Sequence, residues 1–140
     1  MRCMLLRKAD ARSEAGEMPG QALLRAMGAY MQAMTDAGVL LGGEGLKPSR
    51  EGARVTIAGG QAGVVRGPFA DPPGLLAGWC LIQVASLQEA IDWVKRWPPE
   101  DGAVEIEIRP VFEAEDFGAE FTPELRAAED RMRETLARRD

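Results

Sequence analysis

The stretch Trp79-Cys80-Leu81-Ile82-Gln83-Val84 constrains this fold most, because it is nearly continuous in apolar residues. Such a run reads as a central strand with cover on both faces, so it requires neighbouring strands and a packed layer around it. Arg2-Cys3-Met4-Leu5-Leu6-Arg7 is apolar between charges and predicts a first strand. Val104-Glu105-Ile106-Glu107-Ile108-Arg109 alternates strictly, which predicts a strand with Val104, Ile106 and Ile108 inward. Val39-Leu40-Leu41 predicts a short strand running into Gly42-Gly43-Glu44-Gly45, a turn-rich segment that releases Glu44 from regular structure. Arg54-Val55-Thr56-Ile57 and Ala62-Gly63-Val64-Val65 flank Gly59-Gly60, the pattern of a hairpin exposed on one side.

Two helices cover the sheet. After a polar loop from about Asp10 to Gly20, Leu23, Leu24, Met27, Tyr30, Met31 and Met34 recur at helical spacing, and Gly38 falls where a left-handed cap belongs. The methionines read as core, with an adaptable binding face as the other reading. Ser86-Leu87-Gln88-Glu89 has capping-box spacing before a second stripe, which Pro98-Pro99 ends. The order strand, helix, strand, hairpin, strand, helix, strand predicts an α+β domain, ferredoxin-like with an extra β-hairpin. Two regions are expected: a domain over residues 1–113 and an acidic extension over 114–140, whose Thr122-Pro123-Glu124 starts a helix at about 122–138.

The chain has 140 residues, no histidine and a net charge of −5. Without histidine it lacks the usual general base, the usual triad geometry and the commonest metal ligand. The net acidity and the absence of a basic run argue against nucleic acid. No apolar stretch approaches the ~20 residues of a membrane helix, so a cytoplasmic protein is expected. Cys3 and Cys80 each lie in an apolar run and read as buried small hydrophobes.

Any chemistry then rests on other side chains. Glu44, between glycines that let a ligand approach, is the leading acid/base candidate; its plain reading is a solvated turn. In Val65-Arg66-Gly67-Pro68-Phe69-Ala70-Asp71, the Gly-Pro turn could present Arg66 and Asp71 around a cleft anchored by Phe69. Arg109 could hold a ligand anion, surface pairing with a nearby glutamate being the default. No calcium-loop spacing occurs, so neither a metal nor a cofactor is assigned.

Gly67-Pro68-Phe69-Ala70, after a hairpin and before an apolar strand, resembles the DGPF motif of YCII-related proteins. Met4-Leu5-Leu6, Ala37-Gly38-Val39-Leu40, Gly43-Glu44-Gly45-Leu46, Leu76-Ala77-Gly78-Trp79, Ser86 to Trp93 and Val104 to Phe112 look like further family segments in order. The resemblance implies a homodimer of the dimeric α+β-barrel type with a small pocket between sheet and helices. It also implies a link to sigma-factor regulation in some relatives, and a dehydrochlorinase of a chlorinated hydroxyquinol in one branch. Relatives carry a His-Asp pair, which a histidine-free chain lacks. Arg66 stands at the motif's aspartate position, and Asp71-Pro72-Pro73 replaces the usual acidic-Thr-Lys continuation. The expectation is therefore a homodimeric module binding a small ligand or a partner. The alternative is a small-molecule enzyme, hydrolase or dehydrochlorinase-like, acting on a small aromatic compound with Glu44 or Asp71 as acid/base and Arg66 or Arg109 holding an anionic oxygen.

Overall fold

The computed structural model describes residues 1–71 and 74–139. Pro72 and Pro73 of the altered motif continuation lie outside the described residues. The chain forms two compact units, Met1–Pro110 and Val111–Asp140. In the first, β1 (Arg2–Lys8) precedes α1 (Ala11–Glu14), α2 (Gln21–Asp36) and β2 (Leu40–Gly45). The hairpin strands β3 (Ala53–Ala58) and β4 (Gln61–Arg66) lead to β5 (Leu76–Gln83), α3 (Leu87–Val94) and β6 (Ile106–Pro110). Four strands make one antiparallel sheet in the order β2-β5-β1-β6, the ferredoxin-like arrangement, and β3 and β4 pair only with each other.

β5 is central, as its apolar run requires, but its two faces differ. Gly78, Cys80 and Ile82 are buried, whereas Ala77, Trp79 and Leu81 on the other face are half-buried. β1 repeats the pattern, with Cys3 and Leu5 buried and Met4 and Leu6 half-buried. The helices cover the first face: Tyr30 and Met34 of α2 and Ala90 of α3 close the core on Cys3, Leu5, Cys80 and Ile82. Leu24 lies outside the stripe and is 58% exposed. Gly38, at φ +72, ends α2; its N–H donates to the Thr35 carbonyl and that of Val39 to Met34. This double bond pattern is what a left-handed C-terminal glycine allows.

Other expectations are corrected. The polar loop after β1 contains α1, because Asp10 and Ser13 cap each other's backbone N–H at 2.8 and 2.9 Å. At α3, Ser86 accepts from the Glu89 N–H, but Glu89 accepts from Ala85, one residue before the expected cap partner. The hairpin turns on Gly59 and Gly60, both at positive φ, yet every residue of β3 and β4 is exposed, so neither face is covered within the chain. The last sheet strand begins at Ile106, and Val104 precedes it.

In the second unit, residues Ala114–Glu120 form a 3-10 stretch, with the rings of Phe112, Phe117 and Phe121 in sequence at 5.2 and 5.5 Å. The helix α4 (Pro123–Ala137) follows, its Thr122 hydroxyl accepting from the Leu125 N–H. Its apolar line of Leu125, Met132 and Leu136 is more than half exposed.

Candidate functional site

A cavity of about 290 Å³ lies between α2 and the helix-facing side of the sheet. Met27 and Met31 line it from α2, Gly43 and Gly45 from β2, Gly78 and Cys80 from β5, and Arg7, Trp97 and Asp101 close one end. Space exists there because the facing strand positions are glycines. A Cβ on Gly43 would come within about 3.1 Å of both the Cys80 Sγ and the Met31 Cε. The α2 methionines thus divide, Met34 filling the core and Met27 and Met31 lining the cavity.

The polar end is a tight ion pair. Arg7 Nε and Nη2 donate to Asp101 at 3.1 and 2.9 Å, and Trp97 Nε1 donates to the same carboxylate at 3.0 Å. Arg7 Nη1 also donates to the Lys8 carbonyl at 3.0 Å. The Arg7 and Asp101 side chains are only 14% and 10% exposed. The Asp101 hydrogen bond raises the Arg7 pKa still further above neutrality. The 3-10 turn Pro99–Asp101, fixed by the preceding Pro98, brings the carboxylate to β1. Desolvation raises the Cys80 thiol pKa, so the cavity sulfur stays protonated, 3.9 Å from the Met31 sulfur.

Sequence reading overlooked Arg7, Trp97 and Asp101. Alternation along β1 does place Arg7 on the face of Cys3 and Leu5, a charge at a core position; its partner 94 residues away had no signal.

Glu44 is not in a turn. It lies within β2 opposite Trp79, because the glycines around it permit close strand approach: a Cβ on Gly43 would also meet the Trp79 carbonyl oxygen at 3.0 Å. Gly43 faces the helices, so alternation directs the Glu44 carboxylate to the opposite sheet face with Trp79, while the residue borders the cavity from the strand.

Asp71 and Phe69 are together at the base of the hairpin, on a different partner from the one expected. Arg54 reaches Asp71 at 3.2 Å and stands 4.0 Å over the Phe69 ring, whereas Arg66 makes no ion pair among the described residues. Gly67 is packed so closely that a Cβ would overlap the Ser49 carbonyl, and the Gly67-Pro68 peptide is cis. Ser49 accepts from the Phe69 N–H at 3.0 Å and donates from N and Oγ to Glu14 at 3.0 and 2.5 Å. The motif turn therefore ties the hairpin to α1 and does not line the cavity. Arg109 is 69% exposed and pairs with Glu107 at 3.4 Å on the sheet face away from the helices. That bond holds the Glu107 pKa below its usual value.

Sheet order, helix placement and a cavity on the helix side define a ferredoxin-like α+β domain. The YCII-related domain matches residues 1–115, and the chain belongs to that family. Among solved structures, the chain is similar to 5-chloro-2-hydroxyhydroquinone dehydrochlorinase from Burkholderia phenoliruptrix in complex with 2,5-dihydroxybenzoquinone, at 15% identity and a TM-score of 0.42 over 82% of this chain and 98% of that one. No curated protein matches. Among the described residues no helix is long and apolar enough to cross a membrane.

Proposed function

We propose that this YCII-related chain is a homodimeric module that binds a small, largely apolar molecule between α2 and the sheet. The cavity carries the reading: Met27, Met31, Cys80 and Trp97 give it an apolar wall, and the Asp101 carboxylate at its end already accepts three hydrogen bonds. Pockets of this kind, apolar with a few fixed polar groups, bind small ligands. An acid committed to Arg7 and Trp97 orients a ligand rather than exchanging protons with it. Pairing is supported by Met4, Leu6, Trp79 and Leu81, which share the sheet face that the helices leave uncovered. The buried free thiols Cys3 and Cys80 support a reducing, cytoplasmic setting.

The test is titration of the full chain with a small neutral aromatic such as naphthalene-2-methanol, followed by calorimetry. Saturable binding that Met27→Trp abolishes and Glu44→Gln leaves unchanged is the expected result. Binding indifferent to Met27→Trp would overturn the assignment of the cavity, and turnover lost in Glu44→Gln would favour the enzyme reading.

A further inference from the structure

A second cavity, about 510 Å³, shares Arg7, Gly45, Ala77 and Asp101 with the first, so the two abut along the Arg7–Asp101 pair. Its character differs. Leu23 and Leu46 line it together with the cations Arg12, Lys47 and Arg50 and the carboxylates Asp10, Glu17 and Glu51. Arg12 is engaged by Glu17 at 3.1 Å and Lys47 by Glu51 at 3.6 Å, as Arg7 is by Asp101. Arg50 has no carboxylate partner among the described residues; its Nη1 donates to the Glu14 carbonyl at 3.3 Å. The nearby Glu14 carboxylate is taken up by Ser49.

Arg50 is also positioned by its surroundings. Gly16, at φ +75, lets the guanidinium lie against the backbone, for a Cβ there would stand 2.4 Å from Arg50 Nη2. A guanidinium that lines a cavity and is anchored at one nitrogen keeps further N–H donors suited to a planar oxyanion.

We infer that the ligand of this domain is an amphipathic carboxylate, with its apolar body against Met27, Met31 and Trp97, its chain passing Leu23 and Leu46, and its carboxylate on Arg50. This rests on the cavity reading above and adds the chemical class. The test uses full-length protein, isothermal titration, and ω-phenylalkanoates of increasing length, each paired with its neutral primary amide.

Beyond a threshold length, each acid should bind about tenfold tighter than its amide, the scale of one charge-assisted hydrogen bond. Arg50→Gln should erase that difference and leave amide affinity unchanged, with Arg50→Lys restoring part of it. Equal affinity of acid and amide at every length, or a preference that survives Arg50→Gln, overturns the inference while leaving the apolar cavity intact. Failure of both acids and amides to bind overturns the inference and the cavity reading together.

Discussion

Tyr30 ties the two helices through one atom and one ring: its hydroxyl donates to the Trp93 carbonyl at 2.8 Å, and its ring meets that of Trp97 edge-on at 5.6 Å. Burial pushes its pKa up to about 12 from an ordinary 10. The fold favours the neutral phenol, so this contribution is complete below pH 10 and is lost as pH rises from about 10 through about 12, where the unfolded chain ionises first. Urea denaturation should show a stability loss of roughly 2–3 kcal/mol across that window. Tyr30→Phe should remove this share of the alkaline loss and cost about 1 kcal/mol at neutral pH. Arg7 and Asp101 give a second test, since removing Asp101 takes away the short bonds at 2.9 and 3.1 Å and leaves the part-buried guanidinium only the Asp10 carboxylate at 3.5 Å. Asp101→Ala should cost about 2–3 kcal/mol, and the double variant Arg7→Met with Asp101→Ala clearly less than the sum of the singles. Tyr30 could be read from α2 spacing because its ring serves the core. The Arg7–Asp101 pair could not, because pairing across 94 positions depends on the tertiary fold.

Among the elements, the strands and helices with strong periodicity fall where the sequence places them: Gly38 ends α2, Pro98 follows α3 and Gly59-Gly60 turns the hairpin. β2 is the instructive exception. Its Leu40-Leu41-Gly42-Gly43-Glu44-Gly45 has the composition of a turn, yet the strand persists because β5 supplies the ladder and the glycines remove side chains that would clash with Trp79, Cys80 and Met31. Local glycine content signals a loop only when no neighbouring backbone needs the space. Gly43→Val should therefore cost about 1–3 kcal/mol by overpacking and shrink the cavity, so denaturation and ligand titration should both register it. The same reasoning explains Glu44: the flanking glycines pointed to a functional turn, and they serve strand contact. The Gly67-Pro68 turn was visible as a turn, but the Phe69 N–H bond to Ser49 that anchors it was not, nor was Arg54 as the partner of Asp71.

At the scale of the molecule, the sheet has one face sealed by α2 and α3 and another carrying Met4, Leu6, Trp79 and Leu81. The near-continuous run in β5 anticipated cover on both faces, and a single chain's helices supply it on one. Proposed pairing through the second face has a direct consequence: Met4→Lys with Leu81→Lys should halve the mass measured by sedimentation while far-UV circular dichroism is retained. An unchanged mass would place the contact elsewhere, the exposed hairpin being the next surface to vary. The central claim, that the α2-side cavity receives a small molecule, is tested most directly by methionine-methyl NMR of the full chain during a fragment titration. Binding should shift the Met27 and Met31 resonances together and saturably, with exposed Met132 as the internal reference. Fragments that bind yet leave Met27 and Met31 unmoved would contradict it.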